Sequence, residues 1–448
     1  MLIKGKLPIR SSWILLSLCL GVGSCGPEID ELAGKTEILK WPEGKKAAVS
    51  LTYDDGSVNQ FRIALPLMDS LGFPATFYIN TGQIPGSQFL PKFTGRSMDE
   101  IIRESAEIPT TAENLFERAS LAAYAPYRGS REYHTRAGEL VEAGNIQEAC
   151  QVIEEGFEKM RSGKLAKLEE TRINRSRSGP ITWDLFKDMA GSGHEFGSHT
   201  ISHPRLAVMD EANLLYELEK SREDILHFLG PDHTFSAECP YGTENERVME
   251  YAYEIYPALR NRMPAGYLTE LNRGSREEPG SFDTDYVQWQ RGPLTTIPMA
   301  LMKSWIDTCL VHENIWLVLV FHGVEGVGWE PKTRNELVEY FNYIKSREDE
   351  LWVATFKDVT RYIRERMNAV IEVVPGKQDI EIRLAHSLGT DWYDYPLDLK
   401  TSIPQKWETV QVTQGGKTLS YSKARDEEGE FLLYSAIPNA GMIRITAE

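Results

Sequence analysis

With 448 residues, 41% of them hydrophobic, the chain is long enough for one large domain and a smaller one, and too apolar for wholesale disorder. A formal net charge of -17 and a pI near 5.2 exclude a protein held broadly to nucleic acid, since nothing provides the basic face that counterion release requires.

The first 25 residues read as an export signal. Lys4, Lys6 and Arg10 form a positive start, and Trp13 to Val22 is an apolar run too short for a permanent membrane span. Val22-Gly23-Ser24-Cys25 resembles a bacterial lipobox, whose cysteine carries the lipid in the mature protein. The chain is therefore expected in the bacterial cell envelope, anchored to the membrane through Cys25, in the periplasm or at the cell surface. An ordinary signal peptide is the alternative. Cys150, Cys239 and Cys309 are widely spaced and form no CxxC pair, so they read as buried apolar residues, with room for one disulfide.

A catalytic domain is expected over residues 38–368. Ala47 to Leu51 reads as a buried parallel strand running out at Thr52-Tyr53-Asp54-Asp55-Gly56. Phe61, Ala64, Leu65, Met68 and Leu71 recur at helix spacing, with Gly72 and Pro74 as stops, before a second strand at Ala75 to Ile79. Strand, helix and strand in so short a span make an α/β unit. Residues 83–178 break the rhythm with charged helical stretches and read as a helical insertion. The rhythm resumes with a helix at Asp184 to Ala190, the segment Glu195 to His199, a helix at Asp210 to Leu229, and strands at Thr234 to Ala237, Leu317 to Phe321 and Trp352 to Thr355. A helix from Lys357 closes the domain. Over residues 369–448, alternating runs such as Ile380, Ile382 and Leu384 and the Gly415-Gly416 turn predict a C-terminal β-sandwich, with Trp392, Tyr393 and Tyr395 as its aromatic group.

Three features carry chemistry. His199 and His203, four residues apart, can face one metal over a helical turn, or be unrelated histidines. Asp54 and Asp55 stand side by side at a strand end, where one carboxylate can coordinate an ion while the other takes a proton from the attacking water; the plainer reading is a turn. His322 ends the apolar run Leu317 to Phe321, a position suited to a general acid and equally to a structural histidine.

Taken in order, Thr52-Tyr53-Asp54-Asp55-Gly56, His199-Thr200-Ile201-Ser202-His203 and Cys239-Pro240-Tyr241-Gly242 resemble the motifs of the polysaccharide deacetylase family, the NodB-like carbohydrate esterases. Ala75-Thr76-Phe77-Tyr78 and Gly193 to Gly197 resemble its flanking text. The resemblance implies an α/β fold, a distorted, incomplete seven-stranded (β/α) barrel, here with the helical insertion and the sandwich added. It implies a divalent metal, commonly zinc, held by Asp55, His199 and His203, with Asp54 as base, His322 as acid and the backbone near Tyr241 stabilising the oxyanion. The implied reaction is hydrolysis of acetyl groups from an N-acetylated glycan. An O-acetyl esterase and a non-catalytic glycan-binding lipoprotein are the alternatives.

The sequence departs from the family pattern at Glu238, where an arginine often orients the base. A glutamate there would tend to raise a neighbouring carboxylate pKa. Arg260, in Tyr256-Pro257-Ala258-Leu259-Arg260, is the expected replacement, with Arg262 and Arg291 as weaker candidates. The family's Asp-Trp motif is only approximated by Asp283, Asp285 and Trp289; Trp289 is carried forward as a substrate-binding residue.

Overall fold

The computed structural model describes residues 33–168, 181–263, 266 and 268–448. The export signal, Cys25 and the end of the helical insertion lie outside the described residues. No helix among them is long and apolar enough to cross a membrane.

In chain order the first ten strands are β1 (Thr36–Ile38), β2 (Ala47–Tyr53), β3 (Thr76–Ile79), β4 (Glu195–Ser198), β5 (Ser236–Ala237), β6 (Ala258–Leu259), β7 (Thr269–Leu271), β8 (Val287–Arg291), β9 (Ile315–Phe321) and β10 (Leu351–Val353). All but β1 form one sheet of nine strands, ordered β6-β5-β4-β3-β2-β9-β8-β7, with β10 against the start of β2. Every pairing in it is parallel. Among the described residues β6 and β7 end the path without pairing, which leaves the expected distorted barrel open. Two of the nine strands are only two residues long, so the sheet is thinnest at the rim where β5 and β6 stop.

The strand β2 is buried at every residue, as its continuous apolar run requires of a strand covered on both faces. The helices cover one face through Phe61, Met68, Phe186, Ile306 and Phe341, which pack with Val49, Leu51, Phe77 and Leu319. Because all the strands run the same way, their C-terminal ends share one rim. Asp54, His199, Glu238, Arg260 and His322 are the residues that directly follow β2, β4, β5, β6 and β9.

Among the described residues the insertion forms the helices Met98–Glu104, Leu115–Tyr124, Ser130–Glu142 and Ile146–Arg161, around a core that includes Ile101, Leu121, Ile153 and Phe157. It also touches the rim. Arg131 donates to the carbonyls of Ser202 and His203, and the His134 ring accepts from the Arg205 amide.

The remaining strands, β11 (Val370–Pro375), β12 (Asp379–Ala385), β13 (Leu397–Ser402), β14 (Val410–Gln414), β15 (Lys417–Thr418), β16 (Tyr421–Asp426), β17 (Gly429–Ala436) and β18 (Ile443–Ala447), make two antiparallel sheets. Their orders are β1-β13-β17-β16 and β11-β12-β18-β14-β15. Ile382, Leu399, Val412, Leu432 and Ile445 are buried together between them. The sandwich thus takes its edge strand β1 from near the start of the chain. The aromatic group at Trp392, Tyr393 and Tyr395 lies in the joint with the barrel, against Phe235, Trp352 and Tyr362. Those rings are occupied by packing.

Candidate active site

Asp54 is buried, 1% exposed, and its amide donates to the carbonyl of Phe321, the last residue of β9, so the ladder continues one residue past β2. The chain then turns through Asp55 (φ 73°) and Gly56 (φ 66°). Glycine tolerates that left-handed backbone freely and aspartate is among the few other residues that do. The turn sends the two carboxylates in different directions. Gln60, fully buried in a wide π-type turn over Gln60–Ala64, donates to the carbonyls of Asp54 (2.5 Å) and His322 (2.7 Å) and so staples the ends of β2 and β9 together.

The two histidines converge, but not on a helical turn. Thr200 (φ 67°) and His203 (φ 62°) are both left-handed, so residues 199–203 form a looped crossing. Its cause is Glu217, a fully buried carboxylate on the helix Glu211–Leu229 that accepts from the amides of Ile201 (2.8 Å) and Ser202 (2.9 Å) and from the Ser202 hydroxyl. Tyr124 of the insertion donates to the same carboxylate. Glu217 and Arg131 were not legible as site residues: Glu217 sits beside Leu214 and Leu218 on an ordinary core face. A charge on such a face was the only available signal.

Asp55 Oδ1 stands 3.3 Å from His203 Nε2 and 3.6 Å from His199 Nε2. A tetrahedron with metal–ligand bonds of about 2.0–2.1 Å has edges of roughly 3.3–3.4 Å, so these separations suit one ion shared by three donors. Asp55, His199 and His203 form a cluster able to hold a divalent metal. Burial pushes the Asp55 carboxyl up, yet the hydrogen bonds from both imidazoles outweigh it and hold it far below the usual carboxylate range. For His199 burial acts against the charged form, but Glu238 and Asp55 raise its pKa well above the ordinary value.

Glu238 has two jobs, neither of them the one expected of it. Its Oε2 lies 2.6 Å from His199 Nδ1, leaving Nε2 to face Asp55, and its Oε1 lies 3.0 Å from Arg260. The hydrogen bond of Nδ1 goes to the Glu238 backbone carbonyl at 3.0 Å, and with the carboxylate beside it this fixes the tautomer and ring orientation. Asp54, His199 and Glu238 also fall close enough to count as a second ligand cluster. We favour the first because His199 Nδ1 and the Arg260 guanidinium already take up Glu238.

Arg260 is fully buried and meets Asp54 with a two-pronged fork, 2.5 Å to Oδ1 and 2.7 Å to Oδ2, with Thr52 Oγ1 at 3.0 Å. It therefore lies between Asp54 and Glu238, and the repulsion expected between those carboxylates is offset by a guanidinium in contact with both. Burial disfavours its charge, but Asp54 and Glu238 raise its pKa above the ordinary value. Arg262 donates to the Glu244 carbonyl and Arg291 lies over Trp289, 4.6 Å from its ring centroid; neither contacts Asp54.

His322 Nε2 is 3.4 Å from Asp54 Oδ2. Burial lowers its pKa, partly countered by Asp54 and reinforced by Arg273. Its Nδ1 is buried and has no hydrogen-bond partner among the described residues. The exposed ring of Trp329 packs edge-on against it, centroids 4.6 Å apart. Asp283 and Asp285 are exposed. Tyr241 (φ 64°) is 45% exposed, its ring between His203 (4.6 Å) and the Arg205 guanidinium (4.3 Å). Trp289 is buried in the wall of a cavity that also contains Trp329.

A family model described as polysaccharide deacetylase matches residues 128–255. A gellan lyase from a Bacillus species is 25% identical over 287 residues, a stretch covering 60% of this chain and only 11% of that protein. Similar solved structures include a family 4 carbohydrate esterase from Bacillus anthracis, at 14% identity and TM-score 0.33, covering 71% of this chain and 83% of that one. A polysaccharide deacetylase from Bacillus cereus has 12% identity and TM-score 0.30, with 69% and 91% covered. The matched segment carries the histidine loop and Pro240-Tyr241, and the fold brings Asp54 and Asp55 to it from outside; over residues 128–255 the chain matches the polysaccharide deacetylase family model.

Proposed function

We propose that this chain is a metal-dependent hydrolase that removes acetyl groups from an N-acetylated poly- or oligosaccharide. The observation that carries this reading is the pairing of an Arg260-held carboxylate, Asp54, with the neighbouring Asp55, His199 and His203 cluster. Two imidazoles and one carboxylate at tetrahedral spacing favour zinc, with a fourth position left for substrate or water. A divalent ion there supplies Lewis acidity toward a carbonyl oxygen and toward water.

The chain's own residues supply the rest. Asp54 accepts the proton of the attacking water, and Arg260 holds it in place through both oxygens. The backbone at Tyr241 faces the oxyanion. His322 delivers a proton to the departing sugar nitrogen; as its pKa is lowered it starts neutral, and Asp54 Oδ2 at 3.4 Å is the near source of that proton. Hydrogen bonds of this kind are often long before substrate arrives. We further infer export and lipid attachment at Cys25, on the strength of the residue pattern 1–25.

Acetate release from N-acetylated and O-acetylated oligosaccharides, by the zinc-loaded wild type and by Asp54→Asn, tests the assignment. Release from N-acetylated substrates, lost in Asp54→Asn with metal content intact, is expected. Release from O-acetylated substrates alone would make the protein an esterase, and bound metal without any release would refute catalysis.

A further inference from the structure

A cavity of about 720 Å³ opens beside His322, and the proposed reaction does not use it. Its walls include Arg273, Arg291, Trp289, Trp305, Trp329 and Glu278. Trp329 is shared with the catalytic edge, since it lines the cavity and packs on His322. Arg273 links the two as well, lying close enough to lower the pKa of both Glu238 and His322. Whatever occupies the cavity is therefore a direct neighbour of the group being hydrolysed.

The charge of this cavity runs against that of the protein. The chain as a whole carries -17, yet two guanidiniums and a single carboxylate face this space. Among the described residues neither arginine has a carboxylate within 4.0 Å. Arg291 gives one N–H to the Gln290 carbonyl and lies over Trp289; Glu278 acts on it only at longer range. Arg205 and Arg260, by contrast, are both closely paired with carboxylates. Guanidiniums without a carboxylate partner, beside the exposed indole of Trp329, match a sugar ring that stacks on its apolar face and carries a planar anion.

We propose that this cavity is a subsite for a carboxylated sugar, a uronate, placed next to the acetylated residue in the same glycan. The inference rests on the hydrolase reading for the position of the acetylated sugar, and names the class of glycan that reading leaves open. A screening length of about 8 Å at physiological salt confines the repulsion of the distant acidic surface, so the local pair decides the sign.

The test compares two probes: a tetrasaccharide in which glucuronate alternates with N-acetylglucosamine, and the same molecule with its carboxyls reduced to alcohols. Binding to the zinc-loaded full chain is followed by calorimetry, and acetate release is measured separately. The charged probe is expected to bind roughly 10-fold or more tightly than the reduced one, as a charge-assisted fork would give. That preference should collapse in Arg273→Gln/Arg291→Gln and grow in Glu278→Gln, which removes the competing carboxylate. Equal binding of the two probes, no binding of the charged one, or a preference that survives in the double variant overturns the subsite. Tighter binding of a sulfated neutral tetrasaccharide than of the uronate probe overturns the carboxylate assignment. Preferential binding without acetate release from either probe would sink the hydrolase reading and leave the subsite standing.

Discussion

Replacing Arg260 by methionine leaves two buried carboxylates, Asp54 at 1% and Glu238 at 1% exposure, without the cation that contacts both. Breaking a buried ion pair by removing one partner costs about 3–5 kcal/mol, because the remaining charge is left uncompensated. Here one guanidinium serves two carboxylates, so the loss belongs at the upper end of that range. Arg260→Lys keeps the charge but not the fork, and should retain more of the stability than of the turnover. Urea unfolding followed by tryptophan fluorescence reads the first quantity, and acetate release by the zinc-loaded protein reads the second. Turnover in the folded methionine variant should fall by about 10²–10⁴, the usual contribution of a positioned base, with zinc stoichiometry near that of wild type because the three ligands are untouched. Adding Glu238→Gln to Arg260→Met should restore part of the stability and none of the turnover. A stability loss below about 1 kcal/mol, or turnover within about threefold of wild type, would refute the reasoning.

Glu238→Gln alone weakens the hold on His199 Nδ1 and should reduce zinc affinity about 10–100-fold in a chelator competition; an unchanged affinity would show that the Glu238 backbone carbonyl, 3.0 Å from the same nitrogen, suffices. Cys25→Ala should abolish incorporation of labelled palmitate in growing cells and shift the protein from the membrane to the soluble fraction, whereas labelling that persists would disprove the anchor. Burial pushes the Glu365 carboxyl up to about 7 from an ordinary 4.5. The folded chain therefore binds more protons than the unfolded chain between those values, and stability declines as pH rises through that window. In Glu365→Gln the decline should be shallower between pH 4.5 and 7; an identical slope would remove Glu365 as its source.

The parts of the site that could be read from sequence are those where several letters of one motif stand at a strand end. Asp54 and Asp55 follow an unbroken apolar run, and the edge of a parallel sheet is where such a run must deliver them. The histidine pair was legible as residues but not as geometry, because its shape depends on Glu217, a side chain on a different element. Glu238 was misjudged for a related reason. Weighed against Asp54 alone it looks repulsive, and only the fold shows a guanidinium on one oxygen and an imidazole on the other. β5 was legible as the expected strand at Thr234 to Ala237, whereas β6 and β7, the ends of the open path, are two and three residues long, too short to register as periodicity. Trp392, Tyr393 and Tyr395 look alike in sequence whether they meet a sugar or a neighbouring helix.

The pairing of β1 with β13 imposes a timetable on the chain. Thr36 has to wait for Thr401, so the first of the described strands to be synthesised is among the last to find its partner. Until then it is an unpaired ribbon, with the whole barrel synthesised and free to fold between it and its place. Once in place it closes a clasp, since releasing either β1 or β13 opens a sheet built from both. A truncation that removed β13 would strand β1 too, turning a loss late in the chain into a sticky edge on a strand made early.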